Sequence, residues 1–102
     1  MAAASPEELD TLLEDALLMN DRAAVAALFW AAEVRVCSAG RVLSGADATD
    51  LLARCDYVAS GCCERVAADV ALAVSEATVT LCRRGTDGQW KVLVVVLTSP
   101  AT

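Results

Sequence analysis

The sequence predicts an α+β domain in which N-terminal helices pack on an antiparallel sheet. Three observations predict it. Leu9, Leu12, Leu13, Ala16 and Leu17 recur at helical spacing near the start of the chain. From Glu33 the period shifts to two, with Val34 and Val36 alternating with Glu33, Arg35 and Cys37. Finally Val92 to Leu97, reading Val-Leu-Val-Val-Val-Leu, is apolar at six consecutive positions, so a strand there has no face for water and both sides must be covered.

The first helix opens at Ser5, whose side chain can cap it, with Pro6 in the first turn and Glu8 three residues on. Glu7, Asp10, Glu14 and Asp15 fall largely on its outer side. Met19, Asn20 and Asp21 break the pattern, and Asp21 caps a second helix that carries Val25, Leu28 and Phe29. The strand from Val34 to Cys37 turns at Ser38, Ala39 and Gly40 and returns over Arg41 to Ser44. A third helix follows over roughly Asp47 to Cys55, and Ser60 with Gly61 marks the next break. Three longer strands complete the order: Cys63 to Val74, Ala77 to Arg84 and Gln89 to Thr98, with turns at Ser75–Glu76 and Thr86–Gly88.

A chain of 102 residues fits one domain, residues 1–102, with a core of small and branched side chains because Ala, Val and Leu dominate. Net charge is −6 and no basic stripe appears, which removes the electrostatic drive for binding nucleic acid or anionic lipid. No run approaches the ~20 apolar residues of a membrane span, and Met1 to Glu8 does not read as a signal peptide. Five cysteines, an odd number without an export signal, point to reduced thiols in a cytoplasmic protein without a structural disulfide.

This arrangement resembles the nuclear transport factor two-like superfamily, particularly its SnoaL-like and ketosteroid-isomerase-like members, over nearly the whole chain. The resemblance is carried by Asn20 and Asp21, by Ala26 to Phe29 leading into the strand Val34 to Cys37, by Val42 to Gly45, and by Asp87 to Val92. It implies a curved antiparallel sheet wrapped around its helices as a cystatin-like cone with an apolar pocket, often paired through the sheet's outer face. Members include isomerases, polyketide cyclases, epoxide hydrolases, dehydratases and noncatalytic binding modules, so the fold alone does not choose the function.

In ketosteroid-isomerase-like members a Tyr in the first helix and an Asp at the end of the first strand carry the chemistry. The matching positions here are Leu13 and Cys37, which supply neither a hydrogen-bond donor nor a carboxylate base. The chain has no histidine, which also excludes Ser-His and Cys-His nucleophiles. Cys62 and Cys63 point to opposite faces of a strand and do not chelate one ion, so neither metal nor cofactor is expected.

Along Cys63 to Val74 the odd positions place Arg65 and Asp69 among alanines, roughly 13 Å apart along a strand and so unable to pair. Should that face line the cavity, Asp69 is the candidate acid/base and Arg65 binds an anion or carbonyl; otherwise it is a solvated or subunit-facing surface. Asp56 and Tyr57 sit where family members carry residues at the pocket mouth, and Trp90 anchors the core or an interface. The candidate catalytic residues are therefore Asp69, Asp56 and Tyr57, and the candidate pocket residues Leu13, Cys37, Arg65 and Trp90. The leading expectation is a small-molecule-binding module for a hydrophobic ligand, assembled as a homodimer. The alternatives are an isomerase, cyclase or dehydratase acting on a polycyclic or terpenoid substrate, and a purely structural dimerisation domain.

Overall fold

The computed structural model describes residues 3–60 and 62–98, so Gly61 and the tail from Ser99 to Thr102 lie outside the described residues. Helix α1 spans Pro6–Leu18, α2 Arg22–Ala27 and α3 Gly45–Arg54, with a single 3-10 turn at Trp30–Ala32. The strands are β1 Arg35–Ser38, β2 Arg41–Ser44, β3 Cys63–Ala67, β4 Val70–Val74, β5 Thr78–Arg84 and β6 Trp90–Leu97. They form one six-stranded sheet in the order β2-β1-β6-β5-β4-β3.

The starts of α1 and α2 follow from their capping residues. The Glu8 amide donates to Ser5 Oγ at 3.1 Å and the Ala24 amide to Asp21 Oδ1 at 3.1 Å, each satisfying a donor that has no partner inside its helix. The β1–β2 hairpin turns on Ala39 and Gly40 with φ of 52° and 77°; positive φ at both central residues matches the right-handed twist of the flanking strands, and Gly40 adopts it without a Cβ clash.

Two features differ from the sequence expectation. The stretch expected as one strand from Cys63 to Val74 is two, β3 and β4, folded back at Ala68–Asp69. The turn is held because the Arg84 amide donates to the Asp69 carbonyl at 2.8 Å, so the backbone of Asp69 serves the next strand rather than continuing its own. The sheet is also mixed: β1 pairs with β6 in parallel, joining the first hairpin to the middle of the sheet, while the other pairings are antiparallel.

The apolar run in β6 is resolved by a bulge. Leu81 pairs with Val94 but Cys82 pairs with Val92, leaving Leu93 without a partner. The extra residue lets Val92 and Val95, three apart, both turn inward with no exposed surface. Val94 and Val96 lie on the outer face with Leu81 and Val79, their cross-strand partners. Inside, Leu9, Leu13, Phe29, Leu52 and Trp90 fill the space between helices and sheet, each 2% exposed or less. Among the described residues, no helix is long and apolar enough to cross a membrane.

Candidate functional site

A carboxylate sits on the buried stripe of α1. Asp10 is 2% exposed, between Leu9 and Leu13, which are fully buried. Burying a carboxylate this deeply requires partners, and they come from the segment that follows α3. At the end of α3, Asp56 takes a left-handed conformation (φ 52°) that turns the chain back under α1 and carries Tyr57 into the interior. The Tyr57 hydroxyl donates to Asp10 Oδ1 and lies 2.8 Å from the hydroxyl of Thr80, a fully buried residue on the inner face of β5. The Ser60 amide donates to Asp10 Oδ2 at 2.7 Å, and the Ser60 hydroxyl lies 3.1 Å from the same oxygen. One turn along α1, Glu14 accepts the Ala59 amide at 2.7 Å. Two acids of α1 thereby clamp the 57–60 segment.

The surroundings are set for neutral groups. Burial, followed by the hydrogen bond to the Asp10 carboxylate, pushes the Tyr57 phenol far above its ordinary range, so it remains a hydroxyl. Cys82 is pushed up to about 12 by burial and then by Cys63, Asp10 and Glu7, and Cys63 to about 11 by burial and then by Glu7, Asp10 and Cys62. Burial also raises Cys55. All five cysteines are free thiols, and no thiolate nucleophile is favoured at these three positions. The arrangement is suited to presenting hydroxyls and accepting hydrogen bonds.

Next to this network a cleft of about 470 Å³ opens between the segment after α3 and the β4–β5 turn. Val58 and Val74, 60% and 53% exposed, contribute to its walls. Ser60 and Thr78 connect it to the interior. Ser60 is the residue bound to Asp10, while buried Thr78 sits two residues before Thr80 on β5, its hydroxyl 2.8 Å from that of Ser75.

The sequence-derived candidates are scattered through the fold. Tyr57 is in the buried network and Asp56 is exposed beside it, lining the cleft. Asp69 is in the β3–β4 turn, where its Oδ1 accepts from Arg84 Nε at 2.9 Å and Nη2 at 2.7 Å. Leu13 is core. Cys37 pairs with Val96 and Val42 on the outer face, its neighbour Val36 taking the inward position. Arg65, exposed on edge strand β3, reaches over the ring of buried Trp90 at 5.1 Å, and Arg84 lies 5.9 Å from the same ring. Asp10, Ser60 and Thr80 were not singled out from the sequence. A signal for Asp10 existed: at about 100° per residue it falls about 20° from Leu17, inside the apolar stripe rather than opposite it.

No protein-family model matches the sequence, and no curated protein does at a significant level. Among solved structures, the chain is similar to a protein of Shewanella frigidimarina NCIMB 400 provisionally named a ketosteroid isomerase, with a TM-score of 0.59 and 18% identity over 88% of this chain and 91% of that one. At that identity the likeness speaks to the fold alone, helices packed on a curved sheet.

Proposed function

We propose that this protein is a small-molecule-binding domain whose ligand occupies the cleft beside Val58, Ser60, Val74 and Thr78, seated against the Asp10–Tyr57–Thr80 network. One observation carries the reading: a hydrogen-bonded polar cluster buried in an apolar interior adjoins a cleft whose walls include two exposed valines and two alanines, with Asp56 and Glu76 also in its lining. Apolar walls with a few convergent polar groups are the usual composition of a ligand site. The ligand class is small and mainly hydrophobic, with one hydroxyl or carbonyl to meet Ser60 or Thr78.

Binding without catalysis is favoured because the acid and the phenol are engaged with the protein. Both Asp10 oxygens accept hydrogen bonds, and Tyr57 is bonded to two partners. The same buried carboxyl–phenol pair is the one observation that favours an enzyme of isomerase, cyclase or dehydratase type. In that reading Tyr57 is the proton donor and Asp10 the base.

Titration of the isotope-labelled protein with 2-naphthol, followed by amide chemical shifts, tests the proposal. Saturable shifts confined to residues 55–60 and 74–78, lost in Val58→Asp, are expected; absence of saturation at the solubility limit refutes it. Turnover separates the two readings: a binding domain returns its ligand unchanged, whereas an enzyme converts it and loses that conversion in Asp10→Asn while still binding.

The reading includes a homodimer. Cross-strand rows Leu72–Leu81–Val94 and Val74–Val79–Val96–Cys37–Val42 give the outer sheet face an apolar centre, with Val42 69% exposed and with Glu64, Arg83 and Lys91 at its margins. A second copy covering this face is the simplest way to bury it. Five free thiols fit a reducing, cytoplasmic location.

A further inference from the structure

We infer that the end of the molecule formed by Trp30 and the β5–β6 turn is an oxyanion-binding site, a recess for the phosphate or carboxylate group of a small molecule. A cleft of about 530 Å³ opens there, lined by Trp30, Asp69, Arg83, Arg84, Thr86 and the turn glycines. It is separate from the cleft beside Ser60 and shares no residue with it.

The charge arrangement points to an anion. Arg83 forms no ion pair and no side-chain hydrogen bond among the described residues; its guanidinium lies 5.7 Å from the centre of the Trp30 ring. Stacking on an indole holds the guanidinium through its face and leaves its in-plane N–H donors free to grip an oxyanion. Directly across the strands from Arg83 stands Lys91, a second cation. Like charges at opposed positions destabilise a sheet, and an anion between or beside them removes that penalty. Arg84 lines the recess with Arg83, and Lys91 stands beside it. Asp69, the carboxylate of the lining, already has its Oδ1 committed to Arg84.

The backbone is shaped to hold the indole there. A Cβ on Gly85 would come within 3.2 Å of Trp30 Cη2 and 2.9 Å of Asp87 Oδ1, so a side chain there would press on the ring and displace the Asp87 carboxylate. Asp87 is folded into the turn, its Oδ1 accepting the Gln89 amide at 3.0 Å. In a chain of net charge −6, three neighbouring cations of which two, Arg83 and Lys91, form no ion pair among the described residues are a local departure from the surface as a whole.

Calorimetric titration of the intact protein with inorganic phosphate in low-salt Tris chloride, repeated with succinate, tests the assignment. Saturable one-to-one binding that weakens as sodium chloride is added is expected. Binding of phosphate alone identifies a phosphoryl site and binding of both a general oxyanion site. Arg83→Gln should weaken binding about tenfold or more, as loss of a charge-assisted contact implies, and Arg83→Lys by less, while Arg41→Gln on the distant β1–β2 hairpin leaves it unchanged. Circular dichroism checks that each variant is folded. Absence of saturable binding by either anion, or an equal loss in the Arg83 and Arg41 variants, overturns the proposal.

Discussion

Asp10 shows how much a single buried carboxylate organises. It ties α1 to the segment leaving α3, and through Tyr57 to the sheet. Asp10→Ala removes the acceptor from the Ser60 amide and the Tyr57 hydroxyl at once. Unpaired buried donors cost about 1–3 kcal/mol each, so a loss of about 2–4 kcal/mol is expected in urea denaturation, whereas Asp10→Asn, which keeps the shape and one acceptor, should lose less. The thiol of Cys82 sets a limit at alkaline pH. Its pKa rises from 9.0 to about 12 on folding, so the unfolded chain releases this proton first. Stability contributed by the buried neutral thiol is complete below pH 9 and falls between pH 9 and 12. Unfolding free energy should drop by about 1–2 kcal/mol between pH 9 and 10.5 from this group, with Cys63 and Tyr57 adding in the same direction. A shallower fall in Cys82→Ala checks the assignment.

At the scale of elements, the sequence was most readable where local chemistry alone decides. Ser5 and Asp21 act as caps as their positions implied, and the turns at Ala39–Gly40, Ser75–Glu76 and Thr86–Gly88 interrupt the chain as expected. It was least readable at Ala68–Asp69. Neither residue is a strong turn signal, and the alternation of Val66, Ala68, Val70, Leu72 and Val74 runs through the turn as though one strand continued. The two halves of that stretch pair with each other, and β4 pairs with β5 up to the bond from the Arg84 amide to Asp69, 15 residues away; local periodicity carries no trace of either pairing. The same limit applied to the site, because Asp10, Tyr57 and Thr80 meet only after α1, α3 and β5 are assembled. One local feature runs against propensity: Ala31 and Ala32, after Trp30, hold φ of 56° and 52°. A left-handed alanine costs roughly 1–2 kcal/mol, so Ala31→Gly should raise stability by up to about 1 kcal/mol, read as a higher denaturation midpoint; a decrease would show that tertiary contacts of the methyl outweigh the strain.

For the whole molecule, the outer sheet face decides how the protein exists in solution. The run Val92 to Leu97, apolar on both sides, was legible as a strand needing two covers. The structure supplies one, the helices and core over Val92 and Val95, and leaves Val94 and Val96 facing outward beside Leu81 and Val79. Leu81→Asp places a charge in the middle of that face without touching the core. Sedimentation equilibrium at micromolar concentration should find the unaltered protein dimeric and this variant monomeric with its helical signal intact; an unaltered protein that is itself monomeric would eliminate the dimer.

The parallel pairing of β1 with β6 has a kinetic consequence. The first hairpin of the chain attaches to the sheet only through the strand that comes last in the sequence, so residues 35–44 have no sheet to join until residues 90–97 have emerged. During synthesis on a ribosome, α1, α2 and the hairpin wait as an incomplete layer with their apolar sides uncovered. Docking of β6 in the middle of the sheet then completes the fold late and nearly all at once, with the slow nucleation typical of pairings far apart in sequence.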